Sequence, residues 1–198
     1  GQIRRQRQMC IRDSFRSLNF VTIDGSNAKD FDDAVYAEEL SDGFRLYVAI
    51  ADVSAYVTKD SQLDKEAFSR ATSVYFEKKV IPMLPELISN QLCSLRPNED
   101  KLVLTCEIYL DNRGEIKDFE FFNSVICSKN RLTYDEVEKF YQKGQTALLD
   151  DAVNNLRVLK KIHSLRRKIR EDRKAIDFYL PEYRPVGKDN KIIKFLSL

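Results

Sequence analysis

The chain has 198 residues, 43% of them hydrophobic and 32% charged, which suits one sizeable soluble domain rather than a fibrous or disordered chain. Lys plus Arg is 33 and Asp plus Glu is 31, so the net charge of +2 points to no particular partner. No apolar stretch approaches the roughly 20 residues of a membrane helix, the first residues lack the apolar segment of a signal peptide, and four cysteines without a CxxC pair, beside the single His163, disfavour both a zinc site and a disulfide framework.

Taken in chain order, residues 1–17 are expected to be a non-matching or disordered arm, since "GQIRRQRQMCIRDS" is basic and has no period. From Leu18 the pattern turns to strands: "LNFVTI", "AVYAEEL" and "FRLYVAIADV" are apolar and rich in β-branched or aromatic residues, with "SDG" as the turn between the last two. "SQLDKEAFSRA" predicts a short helix capped by Ser61. "SVYFEKKVIPMLP" predicts a strand running into a loop bounded by prolines. In "KLVLTCEIYL", Leu102, Leu104, Cys106, Ile108 and Leu110 alternate onto one face, and "DNRG" predicts a hairpin back into "EIKDFEFFNSVI".

Helices follow. Thr133 and Glu136 have capping-box spacing at the head of "TYDEVEKFYQ". From Thr146 to about Arg173 an apolar stripe of Leu149, Val153, Leu156, Leu159, Ile162, Leu165 and Ile169 predicts a helix about 40 Å long. The basic run Lys160–Lys174 is read as its solvated face. "EYRPVGKDNKIIKFLSL" predicts a β-hairpin turning at "GKDN". The sum is an α+β fold of mostly antiparallel strands with one long amphipathic helix. Buried free thiols in a reducing cytoplasm are the expectation for the cysteines.

"TIDGSNAKDFDDAV" places Asp24, Asp30, Asp32 and Asp33 within ten residues. Aspartates are common in surface turns because they hydrogen-bond their own backbone, and that reading stays open. Yet Asp24 ends one apolar strand and Asp33 opens the next, with the small polar "GSNAK" between them. Folding back would bring these carboxylates together beside a core, where unpaired anions are costly. A divalent cation resolves the conflict. Hard oxygen ligands with few neutral donors suit Mg²⁺, and two such ions about 4 Å apart are an arrangement that cuts phosphodiesters. An EF-hand loop starting at Asp30 would need Gly and Glu where this chain has Val35 and Ser41. An aspartate-nucleophile phosphatase would place its DxD directly after an apolar strand, whereas "GSNAK" precedes Asp30.

"FVTIDGSNAKDFDDAVYAEEL", "LYVAIADVSAYV", "LDKEAFSRATSVYFEKKVIPMLPELISNQLCSL", "SKNRLTYDEV" and "AIDFYLPE" resemble, in order and spacing, the RNB catalytic domain of the ribonuclease II / ribonuclease R family. The resemblance runs from about Phe20 to Glu182, and "TIDG…DFDDAV" and "SVYF…VIPMLP" look closer to the ribonuclease R branch. It implies a Mg²⁺-dependent, processive 3′→5′ exoribonuclease that hydrolyses single-stranded RNA from its 3′ end to nucleoside 5′-monophosphates. No membrane and no stable protein partner is inferred. It matches Asp24, Asp30, Asp32 and Asp33 to catalytic, metal-binding aspartates, with two ions when substrate is bound. It matches Tyr75 and Tyr134 to tyrosines that contact RNA, and Arg70 to a frequent arginine, for which a phosphate contact and a surface salt bridge are equally open. Asp52 is a candidate to support the site.

Ala71, Gln91 and Lys174 stand where the family often has Gly, and Glu77 where it often has Pro. Residues 18–198 are expected to be the N-terminal portion of the domain, lacking a later helix with acidic residues and an arginine that the resemblance leads one to expect, and so not fully active alone. The alternatives are a non-catalytic RNB-like RNA-binding module and a Mg²⁺-dependent phosphotransfer domain.

Overall fold

A computed structural model describes residues 12–76, 79–144, 150–176, 183–188 and 191–197. Its centre is a seven-stranded sheet built from β1 (Asp13–Ser14), β2 (Val21–Asp24), β3 (Asp33–Leu40), β4 (Gly43–Ala51), β7 (Asp100–Asp111), β8 (Ile116–Cys127) and β9 (Asn130–Thr133), in the order β1-β8-β7-β4-β3-β2-β9. The four interior pairings that join β2, β3, β4, β7 and β8 are antiparallel where hydrogen-bonded in register, while β1 runs parallel to β8 and β9 parallel to β2. β5 (Val74–Tyr75) and β6 (Val80–Ile81) form a separate small hairpin, and β10 (Tyr183–Lys188) pairs antiparallel with β11 (Lys191–Ser197). The helices are α1 (Gln62–Arg70), α2 (Tyr134–Lys143) and α3 (Asp150–Asp172), with a single π-turn at Ile88–Leu92.

The sheet buries both faces. One carries Phe20, Ala34, Tyr47, Ala49, Val103 and Ile126, covered by Phe31 and the segment Ile88–Leu95. The other carries Val21, Leu132, Ala37, Phe44 and Leu110, covered by α2 through Val137 and Phe140 and by α3 through Val153, Leu156 and Ile162. This double cover changes the meaning of the β7 alternation. The face shared by Leu102, Leu104, Cys106, Ile108 and Leu110 is sealed only where α3 crosses it, at Ile108 and Leu110, and Leu104 stays 44% exposed. The opposite face holds the fully buried Val103 and Thr105, the latter bonded to Ser124 at 2.7 Å between hydroxyls.

Turn and cap chemistry follows the residues. Ser61 accepts from the Asp64 N–H at the head of α1, and Thr133 with Glu136 forms both halves of a capping box on α2. Gly43 is obligatory for steric reasons: a Cβ there would lie 1.9 Å from the Leu110 carbonyl oxygen on β7. Asp111 caps the β7–β8 turn by accepting from the Arg113 and Glu115 N–H groups.

Two expectations need correcting. "SVYFEKKVIPMLP" holds two two-residue strands paired Val74↔Ile81 and Tyr75↔Val80, with the Phe76 N–H bonded to the Lys79 carbonyl, instead of one continuous strand. Residues 77–78, with Glu77, lie outside the described residues. The expected long helix is present over Asp150–Asp172, and residues 145–149, with Thr146 and Leu149, lie outside the described residues. Of the arm expected over residues 1–17, residues 1–11 lie outside, but Arg12 onward is packed into the domain. Asp13–Ser14 pair with Ser124–Val125, and the Phe15 ring meets Tyr47 and Phe122 at 5.5 Å. A two-residue strand anchored by one aromatic ring leaves no period to find. The terminal hairpin is present, with its turn residues 189–190 outside the described set, as are residues 177–182 of "AIDFYLPE".

Candidate active site

The acidic segment begins where β2 ends. Asp24 is its last residue and lies beside Thr133 of β9 in register. The chain then turns, the Ala28 N–H bonding the Gly25 carbonyl at 3.1 Å, and β3 opens at Asp33 opposite Ile50. Between these points Phe31 is buried and pins the loop to the core beneath the sheet. The Ala51 N–H donates to the Asp32 carbonyl and the Leu95 N–H to the Phe31 carbonyl, both at 2.9 Å. The aspartates are therefore held by main-chain bonds on either side of a buried ring.

Their electrostatics are those of one shared site. Burial raises the Asp24 pKa, and the charges of Asp33, Asp32 and Asp30 raise it further, against the pull of Arg131. Asp32 is solvent-exposed, yet neighbouring atoms strip enough water to push its carboxyl up, and Asp30 and Asp33 add to the shift. None of the four aspartates is in an ion pair among the described residues. By contrast Asp52 is neutralised locally. Burial pushes it up, but hydrogen bonds from Ser54 (2.5 Å), Arg12 (2.6 Å) and the Ala55 N–H hold it below the usual carboxylate range. Its carboxylate is taken up by the Arg12 anchor, so it fastens the chain's entry into the sheet.

Asp30 and Asp32 line a cavity of about 330 Å³ together with Tyr75, Ser73, Met83 and Cys93. Tyr75 is 68% exposed on its short strand. Asp24 and Asp33 are not among the described residues lining this cavity, though the charge of Asp33 acts on Asp32, which does line it. Tyr134, 63% exposed, is the first residue of α2, next to the Thr133 that pairs with Asp24. The two tyrosines thus stand on the two ends of the acidic segment. Arg70 is engaged elsewhere: its Nε bonds Glu66 and its other nitrogen the Pro82 carbonyl, both at 2.8 Å. Cys93 is raised by burial and by the charges of Asp32 and Asp52, which keeps the thiol protonated.

Among the described residues no three His, Cys, Asp or Glu side chains converge as a ready coordination sphere. The donor set still fits a hard cation that keeps much of its water. Four carboxylates lie on one short segment, the charges of Asp30 and Asp33 raise the pKa of Asp24 and Asp32, none of the four is in an ion pair among the described residues, and all offer only oxygen.

Sequence reasoning missed two side chains. Ser94, wholly buried, accepts from the Phe31 N–H at 3.1 Å and donates to the Lys29 carbonyl at 2.8 Å. Arg131 donates to the Gly25 and Ser26 carbonyls at 2.8 and 2.9 Å, with its guanidinium 5.5 Å from the Phe31 ring centroid. Both grip main-chain atoms, which no side-chain pattern announces. No helix among the described residues is long and apolar enough to cross a membrane.

Comparison with known proteins adds the following. A family model described as "RNB domain" matches residues 12–197. Ribonuclease R of Acidithiobacillus ferrooxidans is 49% identical over 169 residues, which is 84% of this chain and 38% of that protein. The structure described as Mycoplasma genitalium RNase R in complex with double-stranded RNA aligns with a TM-score of 0.90 at 37% identity, over 100% of this chain and 36% of that one. Yeast Ssd1, described as a pseudonuclease, aligns over 76% of this chain with a TM-score of 0.65 at 21% identity, a likeness of fold alone. The chain spans little more than a third of the length of the first two relatives.

Proposed function

The chain belongs to the RNB domain family, and from that premise we propose that it is the metal-holding part of a processive 3′→5′ exoribonuclease that hydrolyses single-stranded RNA to nucleoside 5′-monophosphates. The observation that carries this reading is the acidic segment itself. All four aspartates are present, burial and the neighbouring carboxylates disfavour the charged forms of Asp24 and Asp32, and two of the four line one cavity with an exposed tyrosine. The fold alone would not suffice, since a pseudonuclease has it too.

Asp24 and Asp33 would hold Mg²⁺ most directly, with Asp30 and Asp32 completing the site from the cavity side and orienting the attacking water. Mg²⁺, two ions with substrate bound, would supply positive charge at the scissile phosphate and lower the pKa of a bound water. The chain's own part is placement. The antiparallel β2 and β3 bring the carboxylates to one end of their strand pair, Phe31 and its bonds keep the loop from swinging, and Tyr75 and Tyr134 offer ring faces on which terminal bases can stack without sequence preference, at about 1–3 kcal/mol per base. Arg70 would need to leave Glu66 and the Pro82 carbonyl to meet a phosphate; the exposed ion pair contributes only about 0–1 kcal/mol of what holds it. The thiols of Cys93, Cys106 and Cys127 are free, as a reducing cytoplasm would keep them.

The test is a product analysis of the full-length protein. With Mg²⁺ and a 5′-labelled single-stranded RNA, it should release nucleoside 5′-monophosphates stepwise from the 3′ end, and a chelator should stop it. Internal cuts, or salt-sensitive binding without hydrolysis, would overturn the reading.

A further inference from the structure

The loop carrying Asp30 and Asp32 has no regular structure of its own, so something else must set where these carboxylates point. Two side chains far away in sequence do so. The Ser94 hydroxyl spans the residue between Lys29 and Phe31, donating to one carbonyl and accepting from the other's N–H, so Asp30 sits inside a closed bracket. Arg131 takes the other half of the loop by binding the Gly25 and Ser26 carbonyls, just after Asp24, and lies over the Phe31 ring.

The two grips share a footing. Leu95, next to Ser94, donates its N–H to the Phe31 carbonyl and accepts from the Ser128 hydroxyl at 2.9 Å. Ser128 lies two residues before β9, the strand that carries Arg131, and Lys129 is bonded to the Phe20 carbonyl ahead of β2. The loop is therefore bolted at both halves to one rigid unit. Ser94 has no exposed surface and cannot meet RNA. Removing its hydroxyl would leave the buried Phe31 N–H and the part-buried Lys29 carbonyl without this partner.

We infer that Ser94 and Arg131 are positioning residues for the exoribonuclease reaction: together they set the Asp30–Asp32 carboxylates in the geometry that binds metal. The inference rests on the function proposed above and extends it to residues that touch neither substrate nor the reacting atoms. Residues that orient metal ligands typically affect metal affinity or activity by about 10–100-fold, and that is the scale expected here.

The experiment uses the full-length protein with Ser94→Ala and Arg131→Lys, the latter keeping the charge but losing both the terminal guanidinium nitrogen that binds the two carbonyls and the planar group over the Phe31 ring. For each, kcat should fall about 10–100-fold while KM for single-stranded RNA stays near the wild-type value. The Mg²⁺ concentration for half-maximal rate should rise. Without RNA, the gain in melting temperature on adding Mg²⁺ should shrink. Should Ser94→Ala fail to fold, Arg131→Lys decides by the same three readings. Variants that fold and keep the wild-type kcat, Mg²⁺ dependence and melting shift would overturn the clamp alone. A wild-type protein that hydrolyses no RNA would overturn the function and the clamp together.

Discussion

Asp24 and Asp32 differ from an ordinary surface aspartate in sign as well as degree. Their pKa values are raised in the folded state, first by burial and then by the neighbouring carboxylates. For a carboxyl whose folded pKa lies above its unfolded one, the stabilising contribution is complete below the unfolded value and is lost as pH rises through the folded value. Without metal, then, the acidic segment opposes folding at neutral pH. Asp24→Asn should melt at a higher temperature than wild type in the presence of a chelator, by a margin that grows from the carboxylate range to neutrality. Added Mg²⁺ should narrow or reverse the margin, because only wild type keeps the ligand. Equal melting at every pH would mean that Asp24 is not under this strain. Asp52 has the opposite sign: held low, it stabilises above its unfolded pKa and the contribution fades as pH falls. The aspartate cluster was legible from its spacing. Ser94 and Arg131 were not, since "LCSL" reads as packing and "RLTYDEV" draws the eye to Tyr134, while the carbonyls they hold are common to every residue.

At the scale of elements, the strongest local signals are the ones that survive. Ser61 and Thr133 cap their helices where the spacing says, because each satisfies N–H groups that nothing else can reach. The strands β2, β3, β4, β7 and β8 follow β-branched and aromatic runs. What periodicity could not show is that the sheet is covered on both faces, so burial on β7 depends on where α3 crosses rather than on alternation. The end of α1 shows local strain. Ala71 closes the helix at φ 62°, and Lys174, after α3, sits at φ 56°, both in the region that favours Gly. A left-handed backbone costs a residue with a Cβ about 1–2 kcal/mol. Ala71→Gly should therefore raise the urea midpoint, corresponding to about 1 kcal/mol after the greater freedom of an unfolded glycine is subtracted. An unchanged or lowered midpoint would show that the helix end has relaxed around alanine.

At the scale of the molecule, charge is arranged in two zones. The acidic segment lies where β2 ends and β3 begins, inside the edge strand β9, whereas the basic face of α3 is occupied by its own surroundings. Lys161 pairs with Glu39 at 2.6 Å, Arg166 reaches the Gly114 carbonyl, Arg167 pairs with Glu171, and Lys160 lies over the Tyr141 ring. That favours a solvated helix face over a phosphate track, as the sequence suggested. The RNA contacts expected near the site are aromatic instead, from Tyr75 and Tyr134. The fold class was readable because long strands and capped helices carry it. The convergence of two carboxylates and a tyrosine on one cavity was not, because it depends on a small hairpin, β5–β6, too short to leave a pattern.

The most direct test of the carboxylate site is Asp32→Asn in the full-length protein, assayed on single-stranded RNA with Mg²⁺. RNA affinity should stay at the wild-type level while release of nucleoside 5′-monophosphates is abolished. Substantial remaining turnover by the folded variant would contradict the account.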